Sequence, residues 1–262
     1  MKVPYGYCDF RVERVNDSII NTFIEYGYTL IAVNTTVDCS LLGVGNSNRK
    51  KRKIAECNGE NIEENDWVPT PKVINVNVIY LHDDSKLTIV NRLTVQISNI
   101  GQLHRIFNSQ NFKLYNILAV EPLNDQVFQD ILTLSSIDII NCNFKTSITP
   151  KQYTIAIEKN IYFEVSYGPM LVNYVARQDV LSLAHLLHIK GKSKNIIVSS
   201  AAVSKLDIRN PHDVMNLGIL LGLSSKQSKE SITQGCYSII LQSYRRKIGK
   251  SAINMVPRTI TS

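Results

Sequence analysis

Residues 195–223 read NIIVSSAAVSKLDIRNPHDVMNLGILLGL, and they contain one complete unit of an alternating α/β fold. The apolar run Ile196–Val198 predicts a strand, which small polar residues bring to an end. A polar loop then leads to Asn210 and Pro211, which suit the N-cap and the first position of a helix. The segment therefore predicts strand, loop and helix in succession. This is the unit of α/β barrels, and it places the loop at the carboxyl end of the strand, where ligands are usually met.

The rest of the chain follows the same alternation. Most of the predicted strands are continuous apolar runs, which is typical of strands buried on both faces. Strands separated by segments of helix length pair in parallel through right-handed crossovers, so we predict an α/β fold, a TIM-barrel-like barrel of seven strands. The predicted strands are Tyr7–Val12, Tyr28–Asn34, Asn91–Ile97, Tyr115–Glu121, Ile137–Asn141, Ile161–Ser166 and Asn195–Ser200. The predicted helices are Asn16–Tyr26, Leu123–Leu134, Lys151–Lys159, Tyr174–Ile189, one beginning at Pro211, Ser225–Gln234 and Cys236–Lys247.

Length and composition place the chain among intracellular single-domain proteins. Its 262 residues suit one barrel domain over 1–262. Its longest apolar stretch is too short to cross a membrane, and its N-terminus lacks the apolar core of a signal peptide. The five cysteines are odd in number and scattered. They therefore predict reduced thiols rather than disulfides or zinc ligands.

A segment around residues 38–86 interrupts the alternation and predicts a surface insertion. It contains the basic run Arg49–Lys53, followed by five acidic residues between 56 and 66. The basic run could be a nuclear import signal or a phosphate contact. The alternative is a solvated loop that its acidic neighbours neutralise.

The net charge of +7 is unevenly distributed along the chain. Residues 1–189 hold 17 Lys and Arg against 19 Asp and Glu, whereas residues 190–262 hold 12 against 3. A basic quarter on a nearly neutral body is typical of a surface that binds a polyanion. The helical, basic C-terminal part at 211–262 therefore favours nucleic acid over a purely structural role.

Five stretches, in order along the chain, show a pattern that a known protein family shares. The first four are Gly27–Asn34, Arg92–Ser98, Tyr115–Pro122 and Tyr162–Pro169. The last consists of Ile197–Ala202, Arg209–Asp213 and Val214–Leu223. It is similar to a family sequence of I-I-S-S-A-A, then R-x-P-x-D, then V-x-N-L-G-L-L-x-G-L. Together the five stretches resemble the thirty-kilodalton protein subunit of ribonuclease P and RNase MRP.

The resemblance carries expectations about fold and function. It implies a distorted seven-stranded barrel of the polymerase-and-histidinol-phosphatase type. It implies a non-catalytic subunit that scaffolds the ribonuclease P RNA with other small proteins, while the RNA matures the 5′ end of precursor tRNA with magnesium. Shared membership of RNase MRP, and with it rRNA processing, is expected too, as is a nuclear and nucleolar location. No cofactor held by this chain and no membrane partner are expected.

The metal ligands of hydrolytic barrels of this type are missing from the sequence. Those enzymes begin with His-x-His after the first strand, where this chain reads Cys8-Asp9-Phe10-Arg11. His185 and His188 have a spacing that suits a metal, but they flank an apolar stripe and lack a third ligand. We therefore expect no catalytic residues and no metal site. A degenerate metal-dependent phosphoesterase is the alternative, and a protein scaffold without RNA contact is a third possibility.

The residues chosen for RNA binding are basic side chains near the seventh predicted strand and on the last helix. They are expected to contact phosphates, which gives salt-sensitive affinity with little sequence preference. Arg92 has two interpretations: a phosphate contact at the barrel mouth, or an interior partner of Glu164. The predicted RNA-binding residues are Lys192, Lys194, Lys205, Arg209, Arg245, Arg246, Lys247 and Arg92.

Overall fold

The structure, a computed structural model, describes residues 6–39, 66–72, 78–80, 86–143 and 145–248. Strands and helices mostly alternate along this part of the chain. The strands are β1 (Tyr7–Val12), β2 (Tyr28–Asp38), β3 (Val78–Tyr80), β4 (Lys86–Ile97), β5 (Ile117–Pro122), β6 (Ile139–Ile140), β7 (Tyr162–Ser166) and β8 (Ile196–Ser199). The helices are α1 (Asp17–Glu25), α2 (Ile100–Phe107), α3 (Asp125–Ile131), α4 (Pro150–Glu158), α5 (Gly168–Val172), α6 (Tyr174–Gly191), α7 (Pro211–Leu220), α8 (Ser225–Ser231) and α9 (Gln234–Ile248). Asn111–Leu114 and Lys205–Asp207 form short 3₁₀ turns.

Seven of the strands form a parallel sheet in the order β1-β2-β4-β5-β6-β7-β8. The two ends of this sheet meet, because Val12 bridges to Ala202 just beyond β8. The Glu13 N–H also donates to the Ala202 carbonyl at 2.9 Å. The sheet is therefore a nearly closed barrel, which confirms the predicted fold class.

Apolar side chains fill the barrel and also the space between its wall and the outer helices. The interior cluster joins Phe10, Ala32 and Ile197 to Ile239 and Ile240 of α9. Helix α9 therefore closes the amino-terminal end of the barrel. Each Ile or Phe side chain among them contributes about 1.5–3 kcal/mol when it is fully buried, so these contacts stabilise the position of α9.

Polar side chains cap the starts of α1, α7 and α8, and the cap of α7 is the predicted Asn210. The Asn16 side chain accepts from the Ile19 N–H at 2.8 Å, and Asn210 caps α7 by accepting from the His212 N–H at 3.0 Å. Ser224 and Gln227 form a reciprocal capping box at the start of α8. Polar side chains therefore satisfy the free backbone amides at these helix starts.

The structure adds elements that the sequence analysis did not predict, namely α2, α5 and β3, and it shortens β6 to Ile139–Ile140. Next to β6, the Asp138 carboxylate accepts from the Leu118 N–H at 2.8 Å. A side chain therefore takes a place that a strand carbonyl would fill, and regular pairing covers only two residues. Strand β3 pairs antiparallel with β4.

Most of the predicted insertion, including the basic run at 49–53, lies outside the described residues, as do Cys57 and residues 249–262. Residues 66–72 pack against the barrel. Here the Asp66 carboxylate accepts from the Ser109 hydroxyl at 2.8 Å and from the Asn111 N–H at 2.9 Å. Among the described helices, none is long and apolar enough to span a membrane.

Candidate nucleic-acid interface

Strand β8 separates four of the predicted RNA-binding residues into two pairs. Lys192 and Lys194 precede the strand at the amino end of the barrel, whereas Lys205 and Arg209 follow it at the carboxyl end. The barrel wall lies between the two pairs, so they belong to different surfaces.

The amino end carries a group of exposed cations. Lys192 ends α6 in the left-handed conformation, with φ of 53°, and Lys194 follows in the same turn. Gln227 of α8 donates to the carbonyls of Lys192 at 2.8 Å and Ser193 at 3.2 Å, which fixes α8 against this turn. We call the exposed cations of this end the amino-end basic surface: Lys192, Lys194, Lys226, Lys229, Arg245 and Lys247.

Arg246 lies between two members of this surface but has a structural role. Its Nη1 donates to Asp138 Oδ2 at 2.6 Å, and its Nη2 donates to the Asn116 carbonyl at 2.7 Å. Burial raises the pKa of Asp138, and the Arg246 guanidinium partly opposes that shift. Arg246 therefore anchors the end of α9 to the strands, while Arg245 and Lys247 face solvent.

At the carboxyl end, the two predicted RNA-binding residues differ in exposure and in hydrogen bonding. Lys205 is exposed, whereas Arg209 is half-buried and donates from Nη1 to the carbonyls of Leu206 at 2.6 Å and Ile208 at 3.1 Å. The nearby Asp207 carboxylate accepts from the N–H groups of Val203 and Ser204. In the loop after β8, the charged side chains of Arg209 and Asp207 therefore form hydrogen bonds to the backbone of the same loop.

Arg92 lies inside the barrel, with none of its side chain exposed. Its two terminal nitrogens donate to the two carboxylate oxygens of Glu164 at 2.5 and 2.6 Å, and Nη1 also donates to the Phe10 carbonyl. Of its two interpretations, the interior pair with Glu164 is the one the structure has. The assignment of Arg92 to RNA binding is corrected accordingly, because a phosphate at the surface cannot reach a buried guanidinium.

A hydrogen-bonded network surrounds this ion pair. Ser199 donates to Glu164 Oε1 at 2.7 Å, and Arg11 approaches Glu164 Oε2 at 3.7 Å. Burial raises the pKa of Glu164, but Arg92, Arg11 and Ser199 together hold that pKa below its ordinary value. Glu164 is therefore ionised and fully partnered, as a buried carboxylate must be.

Asp9 closes the seam between β1 and β8. Its carboxylate accepts from the Ser200 N–H at 3.1 and 3.2 Å and from the Arg11 N–H at 3.0 Å. Burial raises the pKa of Asp9 to about 6, against these hydrogen bonds, and the Glu164 charge adds to the rise. The Asp9 carboxylate therefore takes the place of a backbone acceptor between β1 and the end of β8. Burial disfavours the ionised form of this carboxylate.

The carboxyl end also holds a cavity of about 260 Å³ whose lining includes Arg11, Glu121, Glu164 and Asp179. Among the described residues, no group of three His, Cys, Asp or Glu side chains could hold a metal ion. The guanidinium groups of Arg11 and Arg92 already neutralise Glu164, and they would repel a divalent cation placed beside it. The residues present therefore do not fit the metal centre of a hydrolytic barrel. His185 and His188 are exposed on α6, and His188 lies 3.1 Å from the Ser193 hydroxyl.

Two members of the amino-end basic surface, Lys226 and Lys229, were missed in the sequence analysis. They lie three residues apart on α8, a spacing that puts both on one helix face. That spacing was a usable signal, but the position of α8 beside the amino end of β8 depends on tertiary contacts such as Cys8 N–H to Ile232 carbonyl.

Comparison with known proteins identifies a family and related chains. Residues 6–248 match the family model described as RNase P subunit p30. The Ribonuclease P protein subunit p30 of Mus musculus is 28% identical over 246 residues, which cover 92% of this chain and 85% of the mouse protein. The Ribonuclease P/MRP protein subunit RPP1 of Saccharomyces cerevisiae is 23% identical over 88% of this chain and 75% of the yeast protein.

Solved structures share the fold at low sequence identity. A chain from the cryo-EM structure of archaeal Ribonuclease P with mature tRNA has a TM-score of 0.64 and 13% identity, covering 97% of this chain and all of that one. A Xaa-Pro dipeptidase crystallised with methionine in its active site has a TM-score of 0.52 and 11% identity, covering 92% and 76% of the two chains. The barrel itself is therefore shared by proteins of quite different function.

Proposed function

We propose a function from one premise, which is that this chain belongs to the RNase P subunit p30 family. It is a protein subunit of the ribonuclease P particle, and its partners are RNA and other protein subunits. Within that role, we propose that the chain is not itself catalytic. It binds the catalytic RNA and keeps it folded, together with small partner proteins, for the 5′ maturation of precursor tRNA.

The observation that carries this proposal is the contrast between the two ends of the barrel. At the carboxyl end, the charged groups are largely used in contacts within the protein, such as Arg92 with Glu164. At the amino end, the amino-end basic surface is exposed. Exposed lysines and arginines release counterions when they meet phosphates, which gives affinity for folded RNA without base-specific contacts.

The finer parts of the role are proposals too. We propose that magnesium is held by the RNA and not by this chain, which the poor fit of the barrel residues to a metal supports. We also propose that the chain is shared with RNase MRP, and the RNase P/MRP relative from yeast supports this. A role in rRNA processing and a location in the nucleus and nucleolus would follow from that shared membership.

A direct test uses the purified full chain and a structured RNA. We expect binding that weakens linearly in log–log form as salt rises. At a fixed salt concentration, replacing Lys192 and Lys194 with glutamate should weaken RNA binding relative to the unmodified protein. Replacing Lys205 and Arg209 with glutamate should also weaken RNA binding while the barrel stays folded. Salt-independent binding, or no binding, would contradict the proposal. Recovering the protein from cells and sequencing the RNA bound to it would identify the RNA.

One observation favours a second candidate, a degenerate phosphoesterase of the same barrel type. The cavity at the carboxyl end lies where such enzymes work, and Glu121 and Asp179 line it. Incubation of the purified protein with manganese and a simple phosphoester distinguishes the two candidates. Turnover that disappears in an Asp179→Asn variant would favour the enzyme. A scaffold without RNA contact would be indicated by failure to crosslink RNA in the assembled particle.

A further inference from the structure

A second cavity, of about 280 Å³, opens within the amino-end basic surface. It lies between β7, the turn before β8, and helices α8 and α9. Its size is just below the usual range for small-molecule sites, so it suits one ring system rather than a stacked pair. Six of its lining residues matter here: Tyr162, Ser193, Lys194, Asn195, Gln227 and Glu230.

The floor of this cavity is held in one shape. Lys192, Ser193 and Asn195 all have positive φ, between 49° and 54°. Such a conformation is unfavourable for residues other than glycine, and it persists only where the surroundings enforce it. Gln227 supplies that restraint through its two hydrogen bonds to the turn. The cavity is therefore preformed, which reduces the entropy lost when a ligand binds.

The side chains around the cavity select the chemistry of its occupant. The Glu230 side chain is half-buried, and its carboxylate lies 3.8 Å from the Nζ of the exposed Lys226, an ion pair of little strength. A carboxylate in the lining disfavours a phosphate inside the cavity and accepts hydrogen bonds from an amino group. Tyr162 supplies an aromatic wall, and Lys194 supplies a cation for a phosphate at the rim. Aromatic wall, hydrogen-bonding edge and flanking cation are together what an unstacked nucleotide requires.

We propose that this cavity binds a single unstacked nucleotide from a loop or bulge of the RNA, and that it prefers a base with an exocyclic amino group. The inference rests on the proposed RNA-binding function and adds a local specificity to it. Cytosine offers its N4 amino group to the Glu230 carboxylate. Uracil offers a carbonyl oxygen at the same position, which the carboxylate repels. The rest of the basic surface contacts phosphates and does not distinguish bases.

The experiment compares hairpin RNAs that differ at one nucleotide. One hairpin has a single bulged cytosine, a second has a bulged uracil at the same place, and a third is fully paired. Binding of the full chain is measured by fluorescence anisotropy at one salt concentration. We expect the hairpin with the bulged cytosine to bind at least about fivefold more tightly than the hairpin with the bulged uracil, which is the difference that one good base contact gives. Glu230→Gln should remove most of the difference in affinity between the two bulged hairpins.

Two further variants separate the cavity from general electrostatics. Lys194→Ala should weaken the bulged hairpins more than the paired one. Glu158→Gln changes the same charge on an exposed residue at the end of α4, outside the cavity, and should keep the preference for cytosine. Thermal unfolding of each variant should match that of the unmodified protein.

The outcomes distinguish the two levels of inference. Equal affinity for the cytosine and uracil bulges, or a preference that survives Glu230→Gln, would overturn the cavity proposal while salt-sensitive RNA binding remained. If the unmodified protein bound none of the three hairpins, the proposed function itself would be overturned.

Discussion

Two buried acids within the barrel show how neighbouring side chains decide the charge of a carboxylate. Glu164 is paired with Arg92, and its pKa lies below the ordinary value despite complete burial. Asp9 accepts hydrogen bonds from Ser200 and Arg11 and lies near the Glu164 charge; burial outweighs these hydrogen bonds, so its pKa rises to about 6. The same residue class therefore contributes to stability in opposite directions as pH changes.

We expect Asp9 to make the protein less stable as pH rises from about 4 to about 6. The folded state holds this proton more tightly than the unfolded state, whose pKa is near 3.8. The unfolded state therefore ionises first in this window, and the free energy of unfolding falls by up to about 3 kcal/mol. Asp9→Asn keeps an acceptor oxygen and removes the titration, so urea unfolding of this variant should lack that decrease. Parallel pH profiles for the two proteins would contradict the assignment.

Breaking the Arg92–Glu164 pair from one side should be severe. In Arg92→Met, Glu164 loses its bidentate cation and retains the more distant Arg11, so we expect the free energy of unfolding to fall by about 3–5 kcal/mol. The double variant Arg92→Met, Glu164→Met removes both charges and should recover part of that loss. Arg14→Met, at an exposed position, is the control and should change stability by less than about 0.5 kcal/mol. A double variant that is no more stable than Arg92→Met would show that the two charges are uncoupled.

Elements were predictable where local chemistry alone determines them. The seven barrel strands and the caps at Asn16, Asn210 and Ser224 could be predicted from apolar runs and capping residues. Helix α2 has a capping box of the same kind, between Asn99 and Gln102, but was not predicted, although its 8 residues exceed the 7 of α3 and of α8. Its first turn contains Gly101, which has a low helix propensity.

Contacts between distant elements could not be predicted. The sequence suggested the Arg92–Glu164 pair because a charged residue stands in each of two apolar strands. Nothing local showed that α9 crosses the amino end of the barrel, or that Arg246 pairs with Asp138 and Arg245 does not. The candidate surface was therefore predicted as a list of cations, and its division between two ends of the barrel came from tertiary structure.

The docking of α9 should depend on Arg246 and not on its neighbour. Arg246→Ala leaves the buried Asp138 carboxylate without its cation, and we expect a loss of about 2–3 kcal/mol together with faster hydrogen exchange along α9. Arg245→Ala is the matched control, since Arg245 is exposed one residue earlier, and it should leave both measurements unchanged. Equal effects of the two substitutions would mean that α9 is held by apolar packing alone.

At the scale of the whole molecule, the barrel separates an end whose charged groups make internal contacts from an end with exposed cations, where we propose that RNA binds. The carboxyl end, where related folds hold their ligands, is occupied by the Arg92–Glu164 network and by Asp9. The amino end is closed by α9 and covered by exposed cations on α8, α9 and the turn before β8. Under this proposal, a fold that is shared with enzymes binds RNA through the exposed cations at the end opposite to the usual ligand site.

This separation predicts how two matched charge reversals should differ. Lys192→Glu with Lys194→Glu alters the amino end, and Lys205→Glu with Arg209→Glu alters the carboxyl end by the same formal charge. We expect the amino-end variant to lose more affinity for RNA. We also expect the plot of log affinity against log salt to become shallower, with the magnitude of its negative slope reduced by about 2. Each lost phosphate contact removes close to one released counterion. The carboxyl-end variant should show a smaller loss, since the Arg209 guanidinium is already bonded to backbone carbonyls. Both variants carry the same net charge. A larger loss of RNA affinity in the carboxyl-end variant would show that the RNA-binding surface lies at that end. Equal losses in the two variants would show that the affinity depends on net charge and not on position.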